Sequence, residues 1–109
     1  MVQISDLRVG NYYNYDGSPI KLDGGFLAMY LQNDTDLYLE PIPLTEQWLL
    51  DFGYVKYHKI FIVEGHTIFF HNNVFNFVKN GIILKHVHRL QNLYFELNGI
   101  ELIKKATTI

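Results

Sequence analysis

Cysteine is absent from this chain of 109 residues, and serine occurs only at Ser5 and Ser18. The absence of cysteine excludes disulfide bonds, thiolate zinc sites and a cysteine nucleophile. Neither serine lies in the Gly-x-Ser-x-Gly turn of serine hydrolases, and no Gly-x-x-x-x-Gly-Lys phosphate loop is present. A histidine pair with a lysine would suit a metal-free ribonuclease, but no spacing positions such a trio. We therefore expect a non-enzymatic protein.

Long apolar runs are also missing. Runs such as 68–70 and 82–84 are too short to span a bilayer. The first ten residues, MVQISDLRVG, lack the apolar stretch of a signal peptide. We therefore expect a cytoplasmic protein that makes no contact with a membrane.

The five histidines do not show the spacing of a metal site. There is no His-Glu-x-x-His pair and no aspartate-rich calcium loop. His86 and His88 would share one face of a strand, but a helix is predicted to begin between them, which breaks that geometry. We expect His88 to be a neutral hydrogen-bonding residue, because a positive charge near the start of a helix opposes the helix dipole. No metal and no other cofactor is expected.

The net charge of −2 conceals an uneven distribution. Residues 1–50 contain two basic and seven acidic residues, a net charge of −5, whereas residues 51–109 contain seven basic and four acidic residues, a net charge of +3. Such asymmetry indicates a partner that meets one side of the protein. Chance segregation on a solvated surface is the alternative, because both values are small beside those of dedicated nucleic-acid-binding proteins.

Turn residues interrupt the first half of the chain at regular spacing. Between turns such as Asp16-Gly17 and Gly24-Gly25, the runs NYYNY, PIKL, FLAMYL and LYLE are each predicted to form a short strand. Asp16-Gly17 favours a tight hairpin, since glycine accepts a positive φ without penalty. This half is therefore predicted to form a small antiparallel meander or an SH3-like barrel.

The second half also contains hairpin signals. Residues 54–63 and 67–71 are predicted to pair around Glu64-Gly65. The runs VFNFV and GIIL are joined at Asn80-Gly81, the strongest hairpin signal in the chain. The segment IELI, at 100–103, is predicted to return as a final edge strand.

Two segments show helical spacing of their apolar residues. In PIPLTEQWLLDFG, Thr45 is the expected N-cap, Gly53 follows the last turn, and Trp48 is the expected anchor of the helix on a sheet. After Val87, the pattern continues until Gly99. The residues expected to hold this last helix to the sheet are Leu90, Leu93, Tyr94 and Leu97.

Together these elements predict an α+β fold of antiparallel strands with two short helices, near 45–52 and 88–98. No repeat, low-complexity tract or linker separates the two halves. We therefore expect a single domain over residues 1–109, with a β-rich half at 1–43 and a second half at 44–109 made of a helix, two hairpins and a helix.

Aromatic residues are numerous, with eight tyrosines and eight phenylalanines. The adjacent rings of Tyr12-Tyr13 and of Phe69-Phe70 point to opposite faces of a strand. Helices that cover both faces would bury most rings, which is the favoured interpretation. Rings left exposed would form a partner surface or, interleaved with lysines, a stacking platform for single-stranded nucleic acid.

Three motifs follow one another along the chain. They are Leu-Arg-x-Gly-Asn in the segment ISDLRVGNYYNYDG, Pro-Ile-Pro-Leu-Thr-Glu in PIPLTEQWLLDFGY, and His-x-Leu-Gln-Asn-Leu-Tyr-Phe in HVHRLQNLYFELNGIEL. In this order they resemble a family of small uncharacterised bacterial and phage or prophage proteins, many of which have a different residue where Arg89 stands. The resemblance implies a protein of a mobile element, with no assigned activity. By analogy of setting, it implies a binder that inhibits a host protein, such as an immune nuclease or ribonucleoprotein effector, as anti-CRISPR proteins do.

Three functions are consistent with the sequence. The favoured one is a protein-binding inhibitor that acts by occlusion. A nucleic-acid-binding regulator would use the basic second half and bind with an affinity that falls steeply with salt. A self-associating structural protein, such as a homodimer, would pair a sheet edge or an aromatic face with itself. The candidate partner contacts are Lys85, His88, Arg89, Asn92, Lys56 and Lys59.

Two substitutions in the last helix test these assignments. Leu93→Ala is expected to lower the free energy of unfolding by about 2–5 kcal/mol if Leu93 is buried, because truncation leaves a cavity.

Arg89→Ala is expected to leave stability nearly unchanged and to weaken partner binding. Thermal denaturation checks both, and an unfolded Arg89→Ala protein would place Arg89 in the core.

Overall fold

The fold is α+β, as predicted, in a computed structural model that describes residues 7–32, 39–63, 66–79 and 81–104, without the side chains of 29–32. The described strands form two antiparallel sheets, of order β2-β1-β3 and β4-β5-β6-β7-β8. No helix in the described ranges has the length and apolarity to cross a membrane. The elements are β1 (Tyr12–Tyr15), β2 (Ser18–Lys21), α1 (Gly24–Gln32), β3 (Leu39–Glu40), α2 (Glu46–Asp51), β4 (Val55–Tyr57), β5 (Ile60–Val63), β6 (His66–His71), β7 (Val74–Phe77), β8 (Ile82–Leu84) and α3 (Val87–Asn98).

The elements gather into two compact units. Unit 1 comprises residues 1–42 and 86–101, and unit 2 comprises residues 43–85 and 102–109. The predicted division after residue 43 thus lies beside a unit boundary, but α3 belongs with the first sheet rather than with the second half. The expectation of one domain over 1–109 stays a prediction.

Unit 1 contains the β1–β2 hairpin that Asp16-Gly17 predicts. Both turn residues have positive φ, 52° at Asp16 and 78° at Gly17, which is the backbone of a two-residue hairpin turn. Pro19 lies in β2, at the edge of the sheet, where its missing N–H breaks no ladder. The described strands form an open sheet, and its fully buried core residues are Tyr13, Leu22 and Leu39.

The segment FLAMYL is helical, so its prediction as a strand is wrong. It belongs to α1, which begins at Gly24. Asp23 caps this helix, because its Oδ1 accepts a hydrogen bond from Phe26 N at 2.7 Å and its carbonyl accepts one from Leu27 N at 3.0 Å. The Asp-Gly-Gly sequence is therefore a helix start rather than a hairpin turn. Leucine, alanine and methionine then favour the helix.

In unit 2, α2 lies where the sequence predicts a helix. Thr45 Oγ1 accepts a hydrogen bond from Trp48 N at 3.4 Å, and Gly53 takes a φ of 94° after the last turn. Leu49 is the fully buried residue of this helix, and Trp48 is half-buried with its ring 5.7 Å from that of Phe52. The role of Trp48 as the anchor on a sheet stays a prediction.

The five-stranded sheet is a meander in which each strand pairs with its neighbour along the chain. Residues 54–63 were expected to be one strand, but the chain reverses at His58-Lys59 to give β4 and β5. His58 has a φ of 57°, so this tight turn forms without the glycine that usually occupies such a position. The β5–β6 and β7–β8 pairings confirm the two predicted hairpins, although Glu64-Gly65 and Asn80 lie outside the described residues.

The helix α3 begins one residue earlier than predicted and ends at Gly99, which has a φ of 72°. Its buried residues are Val87, His88, Leu90, Gln91 and Tyr94. Two members of the predicted packing face are wrong, because Leu93 is half-buried and Leu97 is 40% exposed. The edge strand predicted at 100–103 is absent from these described residues.

Two leucines of α3 form a matched pair for measuring the packing of the helix. Leu90 is fully buried, so Leu90→Ala is expected to lower the free energy of unfolding by about 2–5 kcal/mol. Leu97→Ala removes the same atoms from a surface position and is expected to stay within about 0.5 kcal/mol. Urea denaturation of both variants checks the difference, and equal losses would contradict the assigned burial.

Candidate functional site

The six predicted contact residues are divided between the two units. Lys56, Lys59 and Lys85 belong to unit 2 and are exposed. The other three belong to α3 in unit 1, where only Arg89 is exposed as expected.

The prediction of His88 as a partner contact is wrong, because only 2% of the residue is exposed. Its ring lies 5.2 Å from the ring of Tyr13. Although the helix begins between His86 and His88 as predicted, their rings stay stacked, with centroids 5.9 Å apart. In the ranges that the structure describes, no three histidine, aspartate or glutamate side chains are arranged to hold a metal ion.

Asn92 is also no free surface contact, because it belongs to a polar cluster built around Arg8. Arg8 Nε donates to Asn92 Oδ1 at 2.9 Å, and Nη1 donates to both carboxylate oxygens of Glu101 at 2.6 and 2.7 Å. Nη2 donates to Asn11 Oδ1 at 3.1 Å, and the guanidinium carbon lies 4.6 Å from the centre of the Phe95 ring. We call Arg8, Asn11, Gln91, Asn92 and Glu101 the Arg8 cluster.

Gln91 joins α3 to the edge of β1 that faces away from β2. Its Nε2 donates to Gly10 O at 3.1 Å, and its Oε1 accepts from Tyr12 N at 2.8 Å. Asn11 O accepts from Leu22 N, so the alternation along a strand directs Tyr12 N to the opposite edge, while Gly10 lies in the turn before β1. The side-chain amide therefore supplies the hydrogen bonds of a neighbouring strand where the two-residue β3 has ended.

Gly10 lies beside the carboxylate of Glu101. A Cβ atom at Gly10 would stand 3.1 Å from Glu101 Oε1, and the φ of Gly10 is 97°, a conformation that residues with a side chain rarely adopt. Only glycine therefore fits this position without moving Glu101.

The cluster unites two of the motifs that carry the family resemblance. Arg8, Gly10 and Asn11 belong to Leu-Arg-x-Gly-Asn, whereas Gln91 and Asn92 belong to His-x-Leu-Gln-Asn-Leu-Tyr-Phe. Every guanidinium nitrogen of Arg8 donates to a residue of unit 1. We interpret the cluster as a set of contacts that stabilises the fold of unit 1. The sequence indicates the burial of Gln91, because Gln91 lies on the same helix face as Val87, Leu90 and Tyr94.

Burial also acts on the titration of one residue beside the cluster. It raises the pKa of the Tyr12 phenol above its ordinary value of 10.0, because the charged form is poorly solvated there. This direction of shift keeps the Tyr12 phenol neutral at pH 7.

The register divides the five-stranded sheet into two faces, because cross-strand partners share a face. The face turned to the interior carries the buried residues Phe61, Ile68, Phe75, Phe77 and Leu84, and the exposed Lys56 and Ile82 lie on it at the two outer strands. The opposite face, here called the open face, carries the pairs Val55↔Ile62, Tyr57↔Ile60, Ile60↔Phe69, Phe69↔Asn76 and Asn76↔Ile83.

Residues of the open face are apolar and accessible. Val55 is 68% exposed, Tyr57 66%, Ile62 42% and Ile83 51%. The polar strand residues on this face are Thr67, His71 and Asn76, and the His71 ring stacks on Phe69 at 5.6 Å. No described strand position on it carries a lysine, arginine, aspartate or glutamate.

Comparison with known proteins identified no relative of this chain. No protein-family model matches the chain, and searches of the curated proteins and of the solved structures found no significant match. Arguments about function therefore depend on the geometry of the chain itself.

The role of Gln91 can be measured by replacing its amide with an apolar side chain of similar length. Gln91→Met leaves Gly10 O and Tyr12 N without their partner, so we expect a loss of about 1–3 kcal/mol in the free energy of unfolding. Gln47→Met is the matched control, because Gln47 is exposed and bonds only to Asp51 in its own helix. Urea denaturation with equal losses for the two variants would show that the amide does not hold β1.

Proposed function

We propose that this protein is a non-enzymatic binding protein that docks the open face of unit 2 on another protein. The observation that carries the proposal is the open face itself, a sheet surface that is exposed, apolar and without charged strand residues. Contiguous apolar patches of this kind on soluble proteins mark interaction sites, and the centres of protein interfaces are depleted of charge.

The composition of the open face favours a protein over a nucleic acid as the partner. Nucleic-acid affinity comes largely from lysine and arginine contacts to phosphates. None of the lysines in unit 2 occupies a strand position on this face. Lys56 pairs across the strands with Phe61, which places it on the opposite face, and its Nζ lies 2.7 Å from Glu46 Oε1.

Self-association is the second candidate, and the edge strand β4 favours it. All three residues of β4 are exposed, and the strand has a single neighbour, β5. An exposed edge presents unpaired backbone groups to another strand, which a second copy of the chain can supply.

The narrower parts of the proposal rest on the motif resemblance alone. These are an origin in a phage or prophage and inhibition by occlusion of a host protein such as an immune nuclease in the anti-CRISPR manner. Action in the cytoplasm is also part of the proposal, and the absence of cysteine is consistent with a reducing compartment. On this view the open face covers a working surface of the target.

Capture from a bacterial lysate tests the proposal when it is done with open-face variants. Tagged wild-type protein is expected to retain one dominant protein, identified by mass spectrometry, in nuclease-treated lysate. Ile83→Lys and Val55→Lys are expected to lose it, because each places a charge in an apolar interface. Both should melt like the wild type, since surface substitutions stay within about 0.5 kcal/mol.

Ile103→Lys is the matched control, because Ile103 is 62% exposed but lies outside the strands of the sheet. Capture that survives both open-face substitutions would contradict docking by this face. Capture that disappears with nuclease would favour the nucleic-acid function. An empty column together with a doubled mass in sedimentation would favour self-association.

A further inference from the structure

A cavity of about 520 Å³ lies in unit 2, on the face of the sheet opposite the open face. It is located where the chain reverses between β4 and β5 and between β6 and β7, which is the same end of the meander. Its volume falls in the range of small-molecule sites, about 300–1,000 Å³. The cavity is therefore large enough to enclose a compact organic ligand.

Aromatic rings form the floor of this cavity. Phe61, Phe70 and Phe75 line it together with Leu44. The Phe61 and Phe75 rings meet edge to face at 5.9 Å, and the Phe70 and Phe75 rings lie 4.7 Å apart. Such a floor favours a flat apolar body, because ring faces and edges both offer contact area without polar groups to satisfy.

The rim of the cavity is polar and has an excess of positive charge. Its charged residues are Lys56, Lys59 and Glu46, so two ammonium groups face one carboxylate. His58 and Asn73 complete the rim from the two turns, and both hold positive φ, 57° and 62°. Both residues stand in two-residue hairpin turns, where positive φ is common.

We propose that this cavity binds a small organic anion with a flat apolar body and one acidic group. The body packs on the phenylalanine floor, and a carboxylate or similar group is bound by Lys59 and Lys56. Glu46 lies 2.7 Å from Lys56 and competes with the anion for that ammonium group. Removing a rim lysine should therefore lower the affinity for the anion, and removing the charge of Glu46 should raise it. A purely structural role of the ion pair would not produce these opposite effects.

The experiment is a titration of ¹⁵N-labelled full-length protein with 2-naphthoate, followed by amide chemical shifts, with the neutral 2-naphthalenemethanol as the matched probe. We expect shifts at Lys56, His58, Lys59 and Asn73 with naphthoate, and weaker binding of the alcohol. Lys59→Met should weaken naphthoate binding by about two- to fivefold and Glu46→Gln should strengthen it by a similar factor, the size of a partly exposed charge contact. Lys79→Met controls for the loss of one exposed positive charge elsewhere in the unit.

The proposal is overturned if naphthoate produces no saturable shifts at the rim or shifts only residues of the open face, such as Val55 and Ile83. It is also overturned if the alcohol binds as tightly as the anion, or if Glu46→Gln and Lys59→Met change the affinity in the same direction. Because the cavity and the open face lie on opposite sides of the sheet, this result and the capture experiment can fail independently.

Discussion

Unit 1 is organised by the guanidinium group of Arg8. Its three nitrogens bond to side chains from a loop, from α3 and from the segment after α3, so one residue fixes three parts of the chain. The ion pair with Glu101 is partly solvated, with side-chain exposures of 29% and 38%, and solvent screens such pairs. The buried Asn11 and the half-buried Asn92 therefore contribute the directional part of the contact, since polar groups away from water must find partners. Two of the three motifs, Leu-Arg-x-Gly-Asn and His-x-Leu-Gln-Asn-Leu-Tyr-Phe, therefore contain residues that hold unit 1 together.

The two faces of the five-stranded sheet in unit 2 have different surroundings. The interior face buries large apolar residues, and the opposite face presents residues of the same kind to solvent. Exposed apolar residues on strands promote aggregation unless something covers them. Under the proposed docking, a partner protein covers Val55 and Ile83 and gains affinity from the apolar surface that they present.

The sequence predicts the elements whose local signals are strong and unopposed. Asp16-Gly17, Thr45 with Gly53, and Gly99 each mark a boundary that the structure confirms. It fails where one signal has two meanings, as at Asp23, which caps a helix but resembles a turn. It also fails at His58, where a tight turn forms without glycine.

The candidate site was less predictable than the fold for a physical reason. Two of the predicted contact residues, His88 and Asn92, already take part in the fold of unit 1, because His88 is buried and Asn92 accepts a hydrogen bond from Arg8. The open face consists of ordinary strand residues, and only the register of the five strands reveals that they share a surface. The sequence places Gln91 on the buried face of α3, but its contacts with Gly10 O and Tyr12 N are known only from the structure. Both depend on pairing across the chain, which local patterns do not encode.

The five-stranded sheet and the Arg8 cluster differ in how far apart their contacting residues lie along the chain. Every strand pair in the five-stranded sheet joins neighbours along the chain, so each hairpin has only a short loop to close and can form as its second strand leaves the ribosome. The Arg8 cluster instead joins residues 84 and 93 positions apart, and it must wait until Glu101 has been translated. We therefore expect the hydrogen bonds of Gln91 to Gly10 O and Tyr12 N to form only after most of the chain has been translated.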